Sequence, residues 1–66
     1  MCLSNVYFRE KQPESLVIEE AHEVTADGKS VHIRSLMGQT RDVPGYYISE
    51  VNFIENYMIL KKQPGA

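Results

Sequence analysis

The sequence predicts an all-β protein: a small, strongly bent sheet or barrel of about five to seven short strands. Three observations predict it. Thirteen of the 66 residues are β-branched (six Val, five Ile, two Thr), and they fall in short runs. Turn signals separate those runs at Lys11-Gln12-Pro13-Glu14, Asp27-Gly28, Pro44-Gly45 and Glu55-Asn56. Finally, 66 residues allow one domain at most. Six or so short strands in so short a chain must curl or pair to hide their edges.

The first run, Cys2 to Glu10, sets Cys2, Ser4, Val6 and Phe8 on one face and Leu3, Asn5 and Tyr7 on the other. Both faces carry apolar groups, so this strand belongs inside the structure or at a dimer seam. Pro13 closes it, because proline cannot continue a ladder. Leu16-Val17-Ile18 and Ala21 to Thr25 follow. Val17, Ala21 and Val24 also fit helical spacing, so one or two helical turns are an open alternative. The preferred reading is a strand that bends at Glu19-Glu20, since so short a segment is marginal for a helix.

Asp27-Gly28 between β-prone residues predicts a two-residue type I′ hairpin. That register pairs Val24 with Val31, His22 with Ile33 and Glu23 with His32. It gathers Val24, Val31 and Ile33 on one face and Glu23, His32 and Arg34 on the other. A one-residue slip would scramble both faces. Leu36-Met37-Gly38 ends the strand, Gln39 to Val43 forms a short edge strand, and Pro44-Gly45 suits the centre of a type II turn. From Tyr46 to Ile54, Tyr47, Ser49, Val51 and Phe53 face one way, and Ile48, Glu50 and Asn52 the other. Glu55-Asn56 turns the chain into a last strand over Tyr57 to Leu60. The domain spans residues 1–62, and 63–66 form a flexible C-terminal tail.

A domain of this size buries only about 60% of its unfolded surface. Its core rarely supplies more than about 3–5 kcal/mol without help. A homodimer is the simplest help. One cysteine excludes an intramolecular disulfide, and a zinc site of several cysteines within one chain. No run of about 18 apolar residues offers a membrane span. The start has neither the charged region nor the apolar stretch of a secretory signal, and a single free thiol fits a cytoplasmic setting.

Little catalytic chemistry can be assembled. The four glycines, Gly28, Gly38, Gly45 and Gly65, read as turns and not as a phosphate loop. His22 and His32 fall on opposite faces of the predicted hairpin and should not share a metal. Glu19, Glu20 and Glu23 read as a solvated rim. The sequence is therefore expected not to encode an enzyme.

Cys2 stands out by position. An early cysteine is either a small buried hydrophobe or, once Met1 is removed, a terminal chelator through its amine and thiolate. Thiolate with backbone nitrogen suits Ni(II) or Cu(II) better than tetrahedral Zn(II). Two copies meeting at a two-fold axis could complete the donor set.

The order Met1-Cys2-Leu3, Val6, Val24-Thr25-Ala26-Asp27-Gly28, Val31, Ile33, Leu36, Gly38, Pro44-Gly45, Ile48, Val51 and Ile59-Leu60 resembles the CooT family of small nickel-binding proteins. These accompany maturation of nickel carbon monoxide dehydrogenase. The resemblance implies an SH3-like or Sm-like barrel and a homodimer that binds Ni2+ through the cysteine after the initiator methionine, here Cys2. It implies a metallochaperone-like accessory role toward a nickel-enzyme client, and neither His22 nor His32 belongs to the pattern. Family members are also labelled as RNA-binding proteins, so an RNA-binding Sm-like module is the alternative. Tyr46, Tyr47, Tyr57, Arg34, Arg41, Lys61 and Lys62 are its candidate contacts. The net charge of −2 disfavours it. A bare assembly domain with neither ligand is a third reading.

Overall fold

A computed structural model describes residues 3–65. Six strands form one sheet: β1 (Ser4–Phe8), β2 (Leu16–Ala26), β3 (Ser30–Ser35), β4 (Thr40–Pro44), β5 (Tyr46–Asn52) and β6 (Tyr57–Lys62). Their order across the sheet is β4-β3-β2-β1-β6-β5, all antiparallel neighbours except the parallel pair β1/β6. Among the described residues only Pro13–Ser15 is helical, as one 3-10 turn started by proline. The helical alternative for the Val17–Val24 stretch is thus not taken.

β1 is the central strand, as its two apolar faces predict. Val6 is fully buried in the core, while Tyr7 lies beside the buried Ile59 of β6. Arg9 adopts a left-handed φ of 66° and ends the strand, its N–H bonded to the Leu60 carbonyl at 2.8 Å. β2 bends where the two glutamates predict it. Glu20 has φ 55°, a conformation costly for a residue with a Cβ. Two bonds hold it there: the Glu20 N–H donates to Asn5 Oδ1 at 3.1 Å, and its carbonyl accepts from Leu36 N–H at 3.0 Å. Bulges beside the bend coil the strand further.

The hairpin register corrects the sequence reading. Val24 pairs with Ile33, Thr25 with His32 and Ala26 with Val31. Asp27 Oδ1 accepts the N–H groups of Lys29 and Ser30 at 2.9 and 2.8 Å. That Asx turn moves the loop onto Gly28-Lys29. Of these residues only Gly28 has positive φ, at 90°, whereas a type I′ turn needs it at both central positions. The register shifts by two residues, which preserves parity. Val31 and Ile33 are buried as expected, and Glu23 and Arg34 stay outside.

β4 is an edge strand, as expected, and β5 is the opposite edge. Gly45 alone separates them, so the sheet curls until its two ends are joined by a single residue. This gives the SH3-like, partly open barrel. Gly45, at φ 79°, fits the second central position of a type II turn, but the chain rounds a corner there and makes no hairpin. Its N–H donates to Lys29 O and its carbonyl accepts from Gln63 N–H, both at 2.8 Å. Gln63 Nε2 adds bonds to Gly28 O at 2.9 Å and Tyr46 O at 3.3 Å. The corner is tied to the β2–β3 turn on one side and to the end of β6 on the other.

Inside the curl, Val6, Val17, Ile18, Ala21, Val31, Ile33, Val43, Met58 and Leu60 form the core, with Phe8, Val24, Tyr46 and Ile48 against it. Phe8 and Tyr46 pack with ring centroids 4.9 Å apart. On β5 a bulge at Ser49 breaks the alternation, and the predicted face of Tyr47, Val51 and Phe53 is the exposed one.

Candidate functional site

Cys2, the expected metal ligand, lies outside the described residues. What the structure defines is the seat from which it extends, the N-terminal end of β1. Leu3 there is half-buried. Ser4 faces Ala21 of β2, and Asn5 faces Tyr57 of β6. Asn5 fastens this end on both sides: its Oδ1 accepts from Glu20 as above, and its N–H donates to Asn56 O at 3.1 Å. Position 3 therefore leads directly out of a strand that is bonded on both sides.

The residues around this end form a small network. Tyr57 donates its hydroxyl to Glu50 Oε2. The hydrogen bond to the Glu50 carboxylate is the main reason its phenol pKa is raised. Lys11 pairs with Glu55 at 3.2 Å and stands 4.9 Å over the Tyr57 ring. Asn52 Oδ1 accepts from Ile54 and Glu55 N–H at 3.0 and 2.7 Å, which fixes the β5–β6 turn. Asn56 ends that turn in a left-handed conformation (φ 59°). Its side-chain oxygen, Oδ1, is buried and meets no hydrogen-bond donor among the described residues. Sequence reading placed Asn56 in a tight turn but gave it no role. Asparagine ahead of a strand tolerates left-handed backbone, and that was the only signal available.

The two histidines stand in different surroundings. His22 is exposed at the β2 bulge. His32 bonds Asp42 through Nδ1 at 2.8 Å and Asp27 through Nε2 at 3.4 Å. The Asp42 hydrogen bond, then that of Asp27, raises the His32 pKa. Asp27 is lowered to about 2, first by the Lys29 and Ser30 N–H bonds and then by His32. Among the described residues, no cluster of three or more His, Cys, Asp or Glu side chains is arranged to hold a metal ion.

The proposed RNA contacts gather only in part: Tyr46 lies opposite Lys62 and Tyr47 opposite Lys61 on β5 and β6, whereas Arg34 and Arg41 stand on β3 and β4. Tyr46 packs against the core and Tyr57 is tied to Glu50. Arg34 pairs with Glu23 at 3.4 Å. Arg41 spans a groove between β4 and the start of β2 to bond Val17 O at 3.2 Å. No helix among the described residues is long and apolar enough to cross a membrane.

Comparison with known proteins now bears on this arrangement. The family model for the CO dehydrogenase accessory protein CooT matches residues 1–61. The chain belongs to the CooT family. No curated protein matches. Among solved structures, the crystal structure of a candidate CooT from Carboxydothermus hydrogenoformans superposes with a TM-score of 0.78. It is 14% identical, and the alignment covers 94% of this chain and 98% of that one. At that identity the likeness establishes the shared fold. The CooT match begins at residue 1 and so includes the Met1-Cys2-Leu3 start that precedes β1.

Proposed function

We propose that this chain is a non-catalytic, metallochaperone-like accessory protein that binds Ni(II) through Cys2 for a nickel CO dehydrogenase client. In this reading it works as a cytoplasmic homodimer. The observation that carries the proposal is the CooT match running from residue 1, with Cys2 inside it. The chemistry agrees, because a thiolate with neighbouring backbone nitrogens suits Ni(II). So does the seat: β1 is a central, two-sided strand, and its N-terminal end lies beside a buried amide oxygen that meets no donor among the described residues. Support for a dimer comes from size alone, since a core this small gains from a partner.

Isothermal titration of Met1-free protein with Ni(II), beside Cys2→Ser, tests the reading. Tight binding in the wild type and its loss in the variant are expected. Unchanged affinity in Cys2→Ser overturns it. Nickel at a hundredfold excess over its dissociation constant should also stabilise the wild type by about 2.7 kcal/mol, and leave the melting of Cys2→Ser where it was. RNA binding remains a distinct alternative, and absence of a gel shift with mixed RNA at low salt removes it.

A further inference from the structure

The first part of β2 is paired on one side only. Leu16 and Ile18 lie opposite β1, whereas β3 joins β2 only from Ala21 onward. The second side of this stretch opens into a groove of about 470 Å3, lined by residues 16–19 of β2 and residues 39–41 around the start of β4. Cavities of this size hold ligands, and a strand edge left open takes extended segments through main-chain hydrogen bonds. Leu16 supplies an apolar wall, 37% exposed.

Arg41 marks what fits there. It stands opposite Ile33, which is buried in the core. Directly opposed residues share a face of the sheet, so Arg41 starts from the core-facing side and reaches across the groove to Val17 O at 3.2 Å. Arg34 pairs with Glu23 and Lys11 with Glu55, but Arg41 makes no ion pair among the described residues, not even with Glu19 of the same wall. A guanidinium carries five donors in a planar fork that matches a carboxylate.

We propose that this groove docks an extended segment of a partner protein, which adds as a strand along residues 16–19 of β2 and sets one carboxylate against Arg41. The guanidinium that covers Val17 O gives that acceptor to an incoming N–H and turns to the carboxylate. Main-chain bonds supply the register, and the charged pair selects the acidic residue. Glu19 repels a second acid, so the segment carries one acidic side chain among uncharged, β-prone residues. The proposal is independent of nickel binding at Cys2.

The probe is the peptide Thr-Val-Asp-Val-Thr, acetylated and amidated so that its one carboxylate is the aspartate, beside its Asn twin. Each is titrated into the millimolar range against 15N-labelled protein. The expected result is saturable amide shifts at residues 16–19 and 39–41, with affinity about tenfold lower for the Asn twin. Arg41→Ala, at an exposed position that should leave the dispersed spectrum intact, abolishes the difference between the peptides, and Arg41→Lys keeps it in weaker form. No shifts with the Asp peptide overturn the docking site, and equal affinity for both peptides overturns the role of the carboxylate. Tighter binding in Arg41→Ala also refutes the proposal, because Arg41 would then be a plug on the open edge. The same shifts with sodium acetate alone refute a peptide occupant in favour of a small anion.

Discussion

Leu60→Ala tests where the stability of this small sheet resides. Leu60 is fully buried (0% exposed) and lies opposite Phe8 of β1 and Ile48 of β5. Backbone ladders on both sides of β6 resist collapse into the hole that the substitution leaves. Leucine-to-alanine changes in cores cost about 2–5 kcal/mol, more where the site cannot close. A site walled this way belongs in the upper half of that range, about 3–4 kcal/mol. The core of a domain this size supplies roughly 3–5 kcal/mol in total, so one substitution removes most of it. The assay is urea unfolding followed by far-UV circular dichroism, at fixed protein concentration because association would stabilise the fold. With a slope of about 1 kcal/mol/M, the midpoint should fall by about 3 M and leave the variant only marginally folded in buffer. Leu60→Met, which conserves volume, should cost less than about 1.5 kcal/mol. Met37→Ala, at a residue 83% exposed, should stay within about 0.5 kcal/mol of wild type. A Leu60→Ala midpoint within about 0.5 M of wild type, at unchanged slope, would refute the packing argument.

Gly45→Ala puts a Cβ into open space but forces it to φ 79°, so the loss is conformational, about 1 kcal/mol, and reads as a lower melting temperature without altered spectra. His32 is the pH-sensitive group. Its folded pKa is raised above the ordinary 6.5 by Asp42 and Asp27, so its stabilising contribution is complete below pH 6.5 and is lost as pH rises through the raised value. Asp27, lowered to about 2 from 3.8, contributes above 3.8 and loses that contribution as pH falls toward 2. Melting temperature against pH should therefore drop as pH rises above 6.5 in the wild type and flatten there in His32→Gln; parallel curves would refute the assignment.

Much of the fold is legible wherever parity decides it. Apolar residues on both faces of β1 signal a central strand, and the Glu19-Glu20 pair marks the bend. The hairpin shows why parity survives a wrong register. The Asp27 carboxylate captures the Lys29 and Ser30 N–H groups and moves the turn, yet a two-residue shift returns every side chain to its face. On β5 the Ser49 bulge shifts the register between Ile48 and Glu50, a feature that alternation alone does not encode. Cys2 is singled out by its place in the chain and lies outside the described residues. Asn56 is not singled out, because its burial depends on β6 lying parallel to β1, a pairing between the two ends of the sequence that no local pattern encodes.

That pairing also explains how so small a chain can offer a rigid seat at its beginning. A first strand at a sheet edge would fray, since half its backbone groups would face water. Here β1 is bonded on both sides, to β2 through Ser4, Val6 and Tyr7 and to β6 from Asn5 to Phe8. Its two ends are pinned again, by Asn5 to Asn56 and by Arg9 to Leu60. The strand exists only when β2 and β6 are both in place, so the ordered start of the sheet at Ser4 and Asn5 depends on both neighbours. Any ligand that prefers the ordered segment must then stabilise the whole sheet, and anything that loosens β6 must weaken the ligand. The binding function proposed at Cys2 would in this way be coupled to the integrity of the core through β1.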